Sequence, residues 1–339
     1  MLDRERLHSK LAMTLRNKAV RLVLVWSVTI VVIAILVYRI GGEGDKLARL
    51  LTIREEHLAW LFLVWLLLSI PRSLIQKLVA QKLGARLSFV DWYGLSMVTN
   101  LLSLVMPARG DYAFGAVYLK KKYNLPITRF GSIIYFNAVL LAIVLGIEGC
   151  VGLLLLGITQ GLWDLRVWGG VVAVGLGALP FVLFSRRLLR GETWLARKLR
   201  EIAEGWELLR SDPGFILRIV ALVMASSLVF TLWMYVSYRA LGFEVGIIPA
   251  FFAGVTTQMS FFFSLTPGNL GIREAVVGFV SQTTGLGFAE GVAVTVLQRA
   301  VSTVGFLICG GLFSLFIVPA LTSSAERAKE GEEAIREQA

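Results

Sequence analysis

The chain has almost nothing with which to build a metal centre or a disulfide framework. Its 339 residues include two cysteines and two histidines. Cys150 and Cys309 each lie in an apolar run, where a thiol behaves as a small buried hydrophobe. His8 and His57 stand alone beside apolar runs, and no Cys/His/carboxylate cluster offers zinc-ligand spacing. No metal and no cofactor are therefore expected. Charge is scarce as well: Asp, Glu, Lys and Arg supply 17% of the residues, against about a quarter in soluble domains. The in–out alternation of a membrane β-barrel is missing. The "GNLG" string at 268–271 is not a nucleotide loop, because it lacks the glycine–lysine spacing and a preceding strand.

What fills the chain instead is hydrocarbon. Hydrophobic residues make up 56%, and the mean hydropathy is +0.73. Runs such as Leu22–Val37, Leu58–Ile70 and Val167–Phe184, with their flanks, are long enough to cross a core of about 30 Å as helices. The fold expected is an all-α polytopic membrane protein. Spans fall at 21–40, 57–83, 127–157, 165–184, 215–241 and 288–318, and two further apolar stretches, 89–106 and 247–266, each end at a proline. The first twenty residues are too polar and lack a cleavage-like site, so the first span is read as retained.

The net charge of +11 lies beside the spans, which favours an anionic leaflet over nucleic acid as the partner. Residues 1–21 hold six Lys/Arg, 72–86 four, 120–129 four and 186–218 eight, whereas 41–56 is mixed. If 89–106 were an ordinary span, later basic clusters would fall outside. If 89–119 and 247–284 are instead re-entrant hairpins, 25 of the 34 Lys/Arg lie inside and six outside, with Arg109, Arg273 and Arg299 at membrane depth. Both termini are then cytoplasmic. The linker 186–214 places Trp194, Leu195, Leu199, Ile202, Trp206 and Leu209 at helical spacing, as expected of an interfacial helix.

The chain also matches itself. "KLGARLSFVDW" (82–92) aligns with "ALGFEVGIIPA" (240–250), and "LSMVTN" (95–100) with "AGVTTQ" (253–258). "LVMPARGD" (104–111) faces "SLTPGNLGIRE" (264–274), and "IYFNAV" (134–139) faces "TVLQRA" (295–300). Two inverted repeats follow, each of three spans and one re-entrant broken-helix hairpin. Residues 1–157 form the first repeat, 158–318 the second, and 319–339 a polar tail. Broken backbone at membrane depth needs protein or a water-filled cavity to satisfy it.

These motifs carry a resemblance. "MPARGD" with "YNLP", then "TPGNLGIREA" and "LQRAVS", resemble the membrane region of the lysylphosphatidylglycerol synthases, a flippase-like family with stand-alone members. The resemblance covers most of residues 10–320 and implies a lipid-translocating module in a bacterial or archaeal cytoplasmic membrane. The synthases carry a soluble aminoacyl-transferring domain after the membrane part. Here a short polar tail follows Pro319, so that activity is not expected.

The candidate site residues are the intramembrane polar ones. Arg109 with Asp111, and Arg273 with Glu274, are equivalent pairs at the two turns. Their guanidinium groups can take a lipid phosphate bidentately, and the carboxylates can hold the arginine or take up a proton. A structural ion pair is the plainer alternative. Arg299 lies near the midplane with Asn137 and Gln298, and Asn100 and Gln258 are weaker candidates for the same path. Glu148 reads as interfacial. Pro107 and Pro267 stop the entering helices, while Gly110, Gly268 and Gly271 permit the turns. Backbone N–H groups at the following helix starts are a further place for phosphate. The expected function is transport of anionic phospholipids or polyprenyl-phosphate-type lipids between leaflets. Two other readings are an intramembrane enzyme acting on headgroups, for which no nucleophile–base pair is visible, and a noncatalytic subunit presenting lipid to a lipid-modifying enzyme.

Overall fold

The computed structural model describes residues 44–104, 106, 110–177, 194–263, 266–319, and in addition 30, 34, 38 and 321. The expected span at 21–40, the turn residues Pro107 and Arg109, and the polar tail therefore lie largely or wholly outside the described residues. Within them every regular element is helical: α1 (Gly44–Ala48), α2 (Glu55–Lys82), α3 (Leu95–Ser103, entered through a π turn at Val90–Gly94), α4 (Gly110–Tyr123), α5 (Ile127–Gln160), α6 (Leu165–Gly177), α7 (Trp194–Arg210), α8 (Pro213–Ala240), α9 (Ile247–Ser260), α10 (Ile272–Thr283) and α11 (Phe288–Gly305). The last continues as an apolar helix to Pro319.

Four of these helices are long and apolar enough to cross a membrane: Glu55–Lys82, Ile127–Gln160, Pro213–Ala240 and Phe288–Pro319. Their outward residues are apolar too. Leu63, Leu67, Leu217, Leu228, Leu312 and Leu315 are all exposed, as expected of side chains that meet lipid rather than water. Neighbouring helices close on small residues. At the crossing of α5 and α6, a Cβ added to Gly146 would lie 2.6 Å from the Cα of Gly175, so the backbones touch.

Several elements end alike. α2 and α8 are both 28 residues long. Each closes with an N–H reaching back five residues, Ala85 to Ala80 at 2.9 Å and Phe243 to Tyr238 at 3.0 Å. In both, the residue between is a left-handed glycine, Gly84 or Gly242. α4 ends at left-handed Asn124 and α10 at left-handed Gly285. The N-caps of α5 and α11, Pro126 and Gly287, follow two residues later.

Among the described residues, two large apolar clusters lie along the length of the long helices, with a small third around Ala289 and Val292. One gathers Leu61–Leu68 of α2, Leu145–Leu156 of α5 and Phe230–Tyr238 of α8 with α9, α10 and α11. The other gathers Val79–Leu83, Phe130–Val144 and Phe215–Val223 with α3, α4 and α7. Between them, α2 and α8 present Ser69, Arg72, Ser226 and Ser227, so a polar belt lies near the midpoint of these two helices.

The amphipathic helix α7 is where 186–214 predicts one, but the described part of its apolar face, Ile202, Trp206 and Leu209, packs against protein. Trp206 and Leu209 are buried, and Trp206 packs on Tyr135 and Phe136 of α5. A Cβ at Gly205 would meet Ser132 Oγ at 2.3 Å, which shows how closely α7 rides on α5.

Between α7 and α8, Asp212 caps the latter helix. Its carboxylate accepts the Phe215 N–H at 3.0 Å and the Lys82 ammonium at 2.7 Å, with Pro213 at the first helical position. The Lys82 bond first, and the Phe215 N–H second, hold this carboxyl below its usual value of 3.8. A depressed carboxylate stabilises the fold above its ordinary range, and the benefit fades as pH falls through the depressed value. Asp212→Asn keeps the cap but loses the charge. Its melting temperature in detergent should fall below that of the unaltered protein at neutral pH, and the two should converge in acid as the pH falls through the depressed value. A gap that persists in acid would assign the effect to cap geometry.

Candidate functional site

The second half of the polar belt is built around the turn between α9 and α10. After Ser260, a single turn at Phe261–Phe263 ends the entering helix. Pro267–Asn269 then reverses the chain, with Gly268, Asn269 and Gly271 all at positive φ. Only residues tolerant of that backbone can make so tight a reversal. Asn269 donates from its amide to Ser260 Oγ at 3.0 Å, and Thr266 donates to the Leu270 carbonyl at 2.8 Å, so the turn is internally tied.

α10 starts beneath this turn, and Glu274 serves it twice. One carboxylate oxygen accepts the Gly271 N–H at 2.6 Å, reaching back from the third helical residue as in half of a capping box. The other accepts Nε of Arg299 at 3.0 Å and its Nη2 at 2.7 Å. Arg299 also donates Nη1 to the Gly268 carbonyl at 3.0 Å. The adjacent pair in the sequence, Arg273–Glu274, is therefore not the ion pair. Glu274 holds Arg299 of α11, and Arg299 holds the turn. The helix start at Gly271, expected to be open to phosphate, is filled by the protein's own carboxylate.

Arg273 is left differently placed. It is 7% exposed, and its guanidinium lies 5.8 Å from the centre of the Trp233 ring. Nη2 donates to Gln298 Oε1. Gln298, fully buried, donates in turn to Ser237 Oγ and approaches Met234 Sδ, both at 3.1 Å. Nε of Arg273 is buried with no partner. No carboxylate of the described residues forms an ion pair with this arginine; Arg299 and, more weakly, Arg72 are near enough to repel it, and the Glu274 carboxylate is near enough to offset part of that repulsion.

Arg72 continues the arrangement along α8. Its Nε donates to Ser226 Oγ at 3.3 Å, its Nη2 to Gln258 Oε1 at 3.2 Å, and its guanidinium lies 5.3 Å from the Phe230 ring centre. Gln258 donates to Ser227 Oγ at 3.4 Å. Glu148 of α5 lies near Ser227, and its Oε2 is buried without a partner. Ser226, Ser227, Phe230, Trp233, Met234 and Ser237 recur at helical spacing, so one face of α8 carries the whole series.

The structure thus brings together Arg273, Glu274, Arg299, Gln258 and Gln298 around Gly268 and Gly271, with Pro267 in the turn. Of the first-half candidates, Arg109 and Pro107 lie outside the described residues. Gly110 and Asp111 open α4. Asn137 of α5 is half-buried with its Oδ1 buried and unpartnered. Asn100, expected to line the path, is exposed and donates back to the Ser96 carbonyl at 2.7 Å.

Sequence reading misplaced or passed over five residues. Arg72 stands ten residues before Lys82 inside an apolar run, a lone charge that was counted with the cytoplasmic cluster after it. Glu148, read as interfacial, contacts the belt. Ser226 and Ser227 gave a fainter signal, two hydroxyls in the middle of an apolar helix. Asp91 gave none. It is 1% exposed and accepts from Ser88, Tyr118, Tyr123 and, at 2.6 Å, Lys122, pinning the end of α4 to the approach to α3. Among the described residues no group of His, Cys, Asp or Glu is placed to hold a metal ion.

Comparison with known families gives one match: the model described as the lysylphosphatidylglycerol synthase TM region aligns with residues 18–310. No curated protein and no solved structure matches.

Proposed function

The chain belongs to the lysylphosphatidylglycerol synthase transmembrane-region family, an integral membrane family, and from that membership we propose that it moves anionic, phosphate-bearing lipids between the leaflets of its membrane. The observation that carries this reading is Arg273: a buried guanidinium with an unpartnered Nε, no ion pair among the described residues, and a second cation nearby. A cation so placed is expensive unless an anion visits it. A lipid phosphate supplies that anion, and the planar guanidinium suits its oxygens. Glu274 is not available as the counter-ion, because Arg299 already engages it.

The architecture that goes with this reading is a pair of inverted repeats. Its support is the shared length and termination of α2 and α8, the left-handed ends of α4 and α10, and the broken helix pairs α3–α4 and α9–α10 in the same place in each half. In that arrangement the two turns enter from opposite faces and meet centrally, both termini are cytoplasmic, and Arg109 at the first turn faces the same anion as Arg273. Asn137 and Gln298 then occupy equivalent positions along the path, which gives the orphaned Asn137 Oδ1 a use.

Liposomes containing the protein and a labelled lipid in the inner leaflet test the proposal by following access of a membrane-impermeant reagent. Faster exposure of phosphatidylglycerol or a polyprenyl phosphate than in protein-free liposomes is the expected result. Rates independent of the protein across both lipid classes would reject it. A new covalent lipid product, found by mass spectrometry of the same vesicles, would favour headgroup chemistry over transport.

A further inference from the structure

The belt contains one cation that the transport reading does not use. Arg72 lies about 15 Å from the Lys82 end of α2, halfway through a core of about 30 Å. It is exposed, with α8 and α9 lying against it. Its hydrogen bonds go to neutral groups only, Ser226 and Gln258. It rests on Phe230, and Arg273 rests on Trp233, three residues further along the same face of α8. Two guanidiniums thus lie over successive rings of one helix, about 4.5 Å apart in rise, the outer one exposed and the inner one buried.

We propose that Arg72 and Arg273 are two successive stations for a phosphate group. The inference rests on the transport reading. The anion binds first at the exposed Arg72 and then transfers to Arg273, with the aromatic rings holding both guanidiniums flat against α8. The geometry gives each station a distinct task. Neutral partners leave the Arg72 charge available to an arriving anion, and its exposure lets a headgroup reach it while still hydrated. At Arg273 the unpartnered Nε offers a donor in an environment that has excluded water, where a hydrogen bond to phosphate is stronger. The two cations repel in the absence of ligand, and an anion passing between them relieves that repulsion in each position.

The test uses the full chain. Lipid retention is read by native mass spectrometry with phosphatidylglycerol, diacylglycerol and inorganic phosphate as probes, and transport by the liposome assay. Arg72→Gln should slow transport at least about tenfold and lower phosphatidylglycerol occupancy. Arg273→Gln should slow transport roughly a hundredfold while one phosphatidylglycerol is still held, and the double variant should hold none. Arg72→Lys should recover part of the rate, because it restores charge without the planar fork. Phe230→Leu, which leaves both arginines in place, should give an intermediate loss and guards against a folding artefact at Arg72. Displacement of the bound lipid by inorganic phosphate would identify a free anion as a ligand of the same stations, and failure to displace would identify the headgroup; both outcomes keep the stations. The proposal is overturned if Arg72→Gln transports and binds as the unaltered protein does, if the double variant retains as much lipid as Arg273→Gln, or if diacylglycerol is retained equally and with the same dependence. Transport that survives Arg72→Gln sinks the stations alone. Arg72-dependent binding in a protein that moves no lipid sinks the transport reading and leaves the stations standing.

Discussion

Glu274→Ala protein is expected to be severely destabilised as well as inactive. The carboxylate is 5% exposed, and it both caps α10 through the Gly271 N–H and engages Arg299 with two hydrogen bonds. Removing one member of a buried ion pair costs about 3–5 kcal/mol, because the survivor keeps its charge without compensation. The cap adds about 1 kcal/mol. For a membrane protein in detergent this is read as a large drop in melting temperature and loss of a monodisperse peak. The double variant Glu274→Ala/Arg299→Met should recover much of the ion-pair share, since it removes the stranded charge. Full stability of Glu274→Ala would mean that the pair does not secure the turn.

Arg273→Ala should behave in the opposite way. This arginine has Gln298 and a ring face as partners and only the more distant charge of Glu274 in place of a direct ion pair, so folding already bears most of the cost of its burial. Its loss should leave the melting temperature unchanged or higher, while transport falls. A charge-assisted contact to phosphate is worth up to about 3 kcal/mol, which corresponds to roughly a hundredfold in rate. Arg273→Lys should restore activity only in part, because the ammonium keeps the charge and loses the fork. Retained transport in Arg273→Ala would remove the phosphate contact from the mechanism. An unfolded protein would place Arg273 with Glu274 as a structural residue. The contrast between neighbours is the informative measurement, since sequence adjacency alone assigns both the same role.

The helices were legible in the sequence because their lengths and apolar content follow from the thickness of hydrocarbon. The break between α9 and α10 was legible because Pro267, Gly268 and Gly271 permit little else. Arg273, Glu274 and Arg299 were recognisable as site residues because intramembrane charge is rare. Their pairing was not, because it depends on which turn of α11 lies against the start of α10, and hydrophobic pattern does not encode that register. Arg72 was obscured for a related reason. Charge counting treats every basic residue near a span end as interfacial, and ten residues of helix separate this one from Lys82. Asp91 belongs to the same class, since three of its four side-chain donors come from residues 27 to 32 positions later.

Arg299 has a kinematic implication. It grips the Gly268 carbonyl and the Glu274 carboxylate from α11, and Glu274 in turn grips the first backbone N–H beneath the turn. Turn, α10 and α11 are therefore linked as one lever with no slack at its tip. The belt residues Arg72, Ser226 and Gln258 belong to α2, α8 and α9, and those helices reach the lever through the Asn269–Ser260, Gln298–Ser237 and Tyr238–Ser281 hydrogen bonds and the Trp233 ring beside Arg273. None of these is an ion pair. If the protein alternates between two arrangements, the seam that slips runs along α8, between the rings under Arg72 and Arg273, and the ion pair travels intact with the moving side.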